Sequence, residues 1–475
     1  MRDRDCTTIN EVSIFMEWLI AGSIIIIMLL VAAPLSGWIR LKAFHAVVIA
    51  ASISLLLLPV TLLLLNQNYL VLPQQNQAVT WAARLNRKAA REKASEWVKN
   101  NFIFIDISWS HQLIPAAVSN QFDTSTEVIT NRYELTRLLE QLKTEDTLTD
   151  GIVCDVFFDQ SSPADPQLRD ALAEPAIATK IILAHNPAAP NLPVFASLED
   201  SVYADISEKG EEQFFASYQP LHAAVPTFAY RIYQRMQSIQ TVPAWNNLLV
   251  RETSADGRTH TGINSFIPSF ILTDEKELYG NPAMGVDSET NLTSVNYLTM
   301  GDASVFAQGG ILHQLLGERR QEGRKNIIFI GSFRGPERDI HQTFYGRLHG
   351  PTIWLNLTYS LLNRQHLLSF GFLLYLWIGM GLVFYCLIRS ALYLPLVPVG
   401  PRKKTTGHEQ SGNKRLSFLR SVVDIIFMHE IHLWVFILFI VLTALAWGKI
   451  INGFLLLLLT EFIYRILRHH ADEHR

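Results

Sequence analysis

The run Phe102-Ile103-Phe104-Ile105-Asp106-Ile107 is apolar at both odd and even positions, with one carboxylate close to its end. A strand with one wet face alternates apolar with polar residues, whereas a run apolar throughout belongs to a strand covered on both sides. Two further runs share the pattern, Gly151-Ile152-Val153-Cys154-Asp155-Val156-Phe157-Phe158 and Asn326-Ile327-Ile328-Phe329-Ile330-Gly331, and Ala178 to Ala184 supplies a third strand in sequence order. Between the first two, Tyr133 to Leu142 carries Leu135, Leu138, Leu139 and Leu142 at helical spacing. A second helix starts at Pro166, the first helical position, with Asp165 as its N-cap, and runs to Leu172. Strands alternating with helices predict an α/β domain, a mainly parallel sheet with flanking helices.

Residues 200–320 carry fainter signals. Pro226-Thr227 opens a helix from Val225 to Met236, residues 252–262 read as a turn or loop around Asp256-Gly257, and Gly309 to Arg319 is helical. No strand is assigned there. Residues 80–99 read as an amphipathic helix, with Trp81, Leu85, Ala89 and Trp97 apolar and a solvated basic face.

Outward from this domain the chain turns apolar. A bilayer core requires about 20 apolar residues in one helix, because every amide must find its partner within the segment. Trp18 to Trp38 and Ala43 to Leu65 meet that, Leu367 to Ile388 meets it around Gly379-Met380-Gly381, and Leu433 to Leu467 is divided by Gly448-Lys449-Ile450-Ile451-Asn452-Gly453. The expectation is about five transmembrane α-helices. The layout is an N-terminal tail 1–16, a hairpin 17–66, the α/β domain 67–366, a third span 367–390, a basic loop 391–430, a second hairpin 431–467 and a tail 468–475.

Arg402, Lys403, Lys404, Lys414, Arg415 and Arg420 make the 391–430 loop cytoplasmic by the positive-inside rule. Alternation then puts the N-terminus and the domain outside the cytoplasmic membrane. The basic residues from Arg84 to Lys99 disagree, but long domains translocate largely regardless of charge. A net charge of −3 argues against a nucleic-acid partner. Of the three cysteines, Cys154 alone falls in the domain, so no internal disulfide is available, and a thiol in an apolar strand reads as core.

In open α/β sheets, ligands bind beyond the carboxyl ends of the strands. Asp106, Ser108, Asp155, Asp159, His185 and Ser332 lie there, with Asp339 and His341 slightly further on. Converging carboxylates can hold Mg²⁺ or Ca²⁺. Equally, Asp106 and Asp155 can accept backbone amides as purely structural groups. The residues are therefore assigned to an unknown small ligand or to structure, and no metal, cofactor or catalytic role is assigned. His429-Glu430-Ile431-His432 lacks the four-residue histidine spacing of zinc proteases, and Glu461 finds Arg465 on its own helical face. Asn291-Leu292-Thr293 and Asn356-Leu357-Thr358 fit the glycosylation pattern, which a bacterial origin would make irrelevant.

Taken in order, these segments resemble the CHASE type 2 domain, the second class of cyclase- and histidine-kinase-associated extracellular sensory domains. The pieces are Phe104-Ile105-Asp106-Ile107, Asp155-Val156-Phe157-Phe158 with Asp165 to Leu172, Val225-Pro226-Thr227-Phe228-Ala229, Ile328-Phe329-Ile330-Gly331-Ser332, and Asp339-Ile340-His341-Gln342-Thr343 with Gly350 to Leu362. The resemblance covers about residues 70–365, and the family's region around an Asp-Gly turn is represented here only by Asp256-Gly257 or not at all. It implies an extracytoplasmic sensor in a bacterial membrane. Such sensors are generally followed by a few spans and a cytoplasmic output domain. Residues 391–475 leave no room for a cyclase, kinase or response regulator, so the expectation is a non-enzymatic sensory or ligand-binding module. It would act through a protein partner or a second copy. The alternative is a structural or assembly subunit of an envelope complex.

Overall fold

The computed structural model describes residues 43–65, 91–115, 126–185, 194–195, 203–205, 208–209, 217–222, 224–244, 247, 249–266, 272, 296–300, 303, 310–333, 340–343 and 346–391, with scattered positions between 435 and 465. The chain divides into two units, Val79–Leu367 and a second made from Met1–Ala78 with Leu368–Arg475.

The first unit is built on six parallel strands: β1 (Phe102–Asp106), β2 (Gly151–Cys154), β3 (Ile181–His185), β4 (Tyr203–Asp205), β5 (Tyr297–Thr299) and β6 (Ile327–Gly331). Their order is β5-β1-β6-β2-β3-β4, and each neighbouring pair runs parallel. The expected α/β architecture, a parallel sheet with flanking helices, is the one found. Both faces are covered because side chains alternate across a strand. Ile103, Ile105, Ile152 and Ile328 pack with Leu135, Leu138, Leu139 and Leu142 of the helix Arg132–Thr144 and with Leu312, Leu315 and Leu316 of Ile311–Gln321. Phe102, Phe104 and Phe329 face the other way, against Phe228 and Trp354 of the helices Phe228–Gln237 and Gly350–Leu362. Burying each such side chain contributes roughly 1.5–3 kcal/mol before chain entropy is subtracted.

Several local expectations shift. The strand expected at Ala178 to Ala184 begins only at Ile181, because Pro175–Ala178 forms a short helical turn. The second strand stops at Cys154 and does not continue to Phe158. Asp165 is not an N-cap. Ala164 holds that position, and the Asp165 carboxylate reaches back to the Ser162 amide (2.7 Å) and to buried Arg132. Val225–Pro226 is a short strand, and the helix after it starts at Phe228. The segment 252–262 is mostly strand. Gln240–Ala244, Leu249–Thr253 and Thr259–Ile263 form an antiparallel sheet, with the turn itself at 254–258. In that turn Gly257 takes φ +79°, while the Asp256 carboxylate accepts from Ser254 Oγ and the Arg258 amide. The basic amphipathic helix is seen over 91–101, where Ala94 and Val98 enter the core, and its expected start at 80 lies outside the described residues.

In the second unit one described helix, Phe370–Ile388, is long and apolar enough to cross a membrane, where about five were expected. Ala43–Leu65 is helical over 23 residues, with Ala46–Leu58 a shorter apolar helical stretch within it. The first expected span lies outside the described residues, and the last two hold only scattered described positions. The two glycines read at the centre of the third span have separate uses. Gly379 faces the ring of Phe439, and a side chain on Gly381 would meet Ser54 Oγ at 3.4 Å. Trp377 Nε1 donates to the Ala51 carbonyl at 3.0 Å, joining the two helices.

Candidate functional site

The carboxyl edge of the sheet gathers four of the residues singled out from sequence. Asp106 ends β1 and is 2 % exposed, so its carboxylate needs donors from the protein. Oδ1 accepts from the Ser108 amide (3.0 Å), the Ser108 hydroxyl (2.5 Å) and the Phe333 amide (3.1 Å), and Oδ2 accepts from the Tyr297 hydroxyl. An ionised carboxylate has about four acceptor sites. Asp106 accepts four bonds, three of them at Oδ1 and one at Oδ2. Ser108 spends its proton on Asp106, so Ser332, with its Oγ 3.1 Å away, is the donor between the two serines.

Asp155 follows β2 on the same edge. Its Oδ2 accepts from Trp354 Nε1 at 3.0 Å, and its amide continues the ladder to the Ile330 carbonyl at 2.9 Å. Gly331 sits between these groups. A methyl there would stand 3.0 Å from Pro351 Cγ and 3.6 Å from Asp155 Cβ. The close approach of Gly350–Leu362 to the sheet edge therefore depends on glycine. Asp106, Ser108, Asp155 and Ser332 thus form one edge cluster whose bonds tie β1, β2, β5, β6 and that helix together.

Asp159 and His185 make a second group. Burial raises the Asp159 carboxyl pKa, while the charges of His185 and Arg132 oppose the rise. Arg132 lies over the Phe158 ring (5.4 Å) and pairs with Asp165. His341 lies in neither group. It sits in the hairpin Ile340–Thr343/Gly346–His349, opposite Leu348. Asp339 lies outside the described residues.

A third constellation escaped the sequence reading. Glu252, 1 % exposed, sits in the middle strand of the antiparallel sheet. Its Oε1 accepts from the Tyr230 hydroxyl (2.6 Å) and lies 2.7 Å from His366 Nε2, while Oε2 accepts from the Tyr233 hydroxyl at 3.1 Å. Burial presses the Glu252 pKa upward, but the bonds and charge from His366 and the two tyrosines outweigh it, and the net direction is down. His366 itself is fully enclosed, and its carbonyl accepts from the Ile263 amide at 2.8 Å. Leu367 then bridges to Gly262. The last residues before the apolar helix Phe370–Ala391 are thereby fastened to the domain's small sheet.

No family model, curated protein or solved structure matches this chain. Chemistry must therefore be argued from side chains alone. Cys154 is buried, and burial together with neighbouring Asp155 pushes its thiol pKa far up, which suits core packing. Asn356 of the glycosylation pattern is fully enclosed, with Oδ1 accepting from the Leu272 amide and Nδ2 donating to the Leu272 carbonyl, each at 2.8 Å. Among the described residues no three His, Cys, Asp or Glu side chains are grouped to hold a metal ion. The His429–His432 segment, Glu461 and the terminal histidines lie outside the described residues.

Proposed function

We propose that this chain is a membrane-anchored, extracytoplasmic sensory or ligand-binding module of a bacterial inner membrane, similar to CHASE type 2 domains and acting through a partner protein. The observation that carries the proposal is the Glu252–His366 bond. It fixes the residues leading into the apolar helix to the buried interior of the α/β domain, so a rearrangement of the domain has a covalent and hydrogen-bonded route along the chain. Coupling of that kind requires an element that both ends bias, and the small antiparallel sheet is the element on which this reading depends.

A second reading draws support from the edge cluster. Because Asp106 already accepts four internal bonds, that edge serves as a brace, which suits a structural or assembly subunit equally well. Affinity purification from native membranes, with identification of protein partners and bound small molecules, separates the two. A sensor retains a stimulus-dependent partner that His366→Ala uncouples at a temperature below the variant's own, lowered unfolding midpoint. A subunit retains constant partners whatever the stimulus. A clean monomer, free of any partner under several mild detergents, would remove both.

A further inference from the structure

At the opposite, amino-terminal edge of the sheet lies a cavity of about 130 Å³, bordered by Gly151 of β2, Ile327 of β6, and the charged residues Arg235, Lys180, Lys325 and Asp150. The carboxylates nearby are already committed. Asp150 takes Arg320 (2.9 Å) and the Asn326 amide (2.7 Å), and Asp146 takes the Lys180 ammonium, which also donates to the Thr149 carbonyl at 2.9 Å. Arg235 has no such arrangement. Its Nη1 is shut off from solvent and finds no hydrogen-bond acceptor, and the charge of Arg231 lies close by. Burial, reinforced by Arg231, lowers the Arg235 pKa to about 10. A guanidinium carries five donors, and one as far withdrawn from water as this partly buried side chain normally meets an acceptor or a counter-ion.

We propose that this cavity binds a small oxyanion, a carboxylate or phosphate group, gripped by the Arg235 guanidinium and joined by the exposed Lys325 ammonium. A guanidinium offers two parallel N–H groups to two oxygens of one anion, and a negative charge there offsets the repulsion from Arg231. Ile232 and Met236, from the same helical turn, supply apolar wall, so the site suits an anionic head on a small organic body. The site stands whether or not the domain signals, and it lies at the edge opposite to Asp106.

The test uses the full chain in mild detergent, titrated separately with inorganic phosphate and with acetate against sodium chloride of equal ionic strength. The expected result is a saturable rise in unfolding temperature with at least one of the two anions, beyond the chloride control. Arg235→Gln should weaken that binding about tenfold or more. The same variant should be at least as stable as the parent without anion, since it removes an uncompensated charge. Lys325→Gln, at an exposed position, should keep the fold and weaken binding less. No response to either anion beyond chloride overturns the proposal. So does a response that Arg235→Gln leaves unchanged. Should Arg235→Gln fail to fold, binding by Lys325→Gln equal to the parent's overturns the two-residue grip.

Discussion

His366 Nε2 lies 2.7 Å from Glu252 Oε1, 114 positions earlier in the chain, and neither side chain is open to water. The carboxylate is a shared acceptor for the imidazole and two tyrosine hydroxyls. Glu252→Ala leaves all three short of it and should cost about 3–5 kcal/mol. Denaturant unfolding of the detergent-solubilised chain measures this. His366→Ala should cost a similar amount, and the double variant clearly less than the sum. A loss under about 1 kcal/mol for Glu252→Ala would mean that water reaches the pair.

The same carboxylate sets an acid limit. Its pKa is held below the ordinary 4.5, so its contribution is complete above 4.5 and fades as pH falls through the lower folded value. Glu252→Gln should remove that part of the decline. Unfolding midpoints taken between about pH 7 and about pH 3 check it. Identical acid slopes for parent and variant would rule out an ionised Glu252.

Asp106→Ala is expected to act on the fold before it acts on any signal. Four donors lose one buried acceptor, and the cost should be about 3 kcal/mol or more. Hydrogen exchange should rise first at Tyr297 and Phe333, the most distant partners. A variant as stable as the parent would return Asp106 to the list of groups free to meet a ligand.

Asp159→Asn should do the reverse. Burial raises this carboxyl's pKa in the folded chain above 3.8, so the ionised form carries a penalty at neutral pH that vanishes once both states are protonated. The asparagine variant should unfold at a higher temperature near neutrality and match the parent in acid. A lower midpoint at neutral pH would show that Asp159 is stabilised by His185 and Arg132 more than burial opposes it.

The four strands β1, β2, β3 and β6 were legible because sheet strands covered on both faces are apolar at every position. The edge strands β4 and β5 span only three residues each, too few for any period to show. The antiparallel sheet went unread because Gln240–Ala244 and Thr259–Ile263 are polar enough to pass for loop. Asp106 was identifiable from its place at a strand end. Its donors were not, since Tyr297 and Phe333 lie 191 and 227 residues away. Glu252 was hidden for a related reason. A buried carboxylate in a polar-looking segment declares itself only when its histidine is in view.

The place of β6 between β1 and β2 bears on how this chain is made. Asp106 leaves the ribosome 227 residues before the Phe333 amide that it will accept, and β6 belongs to that late segment. At about 5–20 residues per second, the facing edge of β1 stays unfilled for roughly 11–45 s of synthesis and that of β2 for roughly 9–35 s. Two long-lived vacant strand edges beside an apolar nascent segment are an invitation to mispairing. Production of this chain should therefore be more sensitive to translation rate and chaperone supply than the stability of the finished domain suggests.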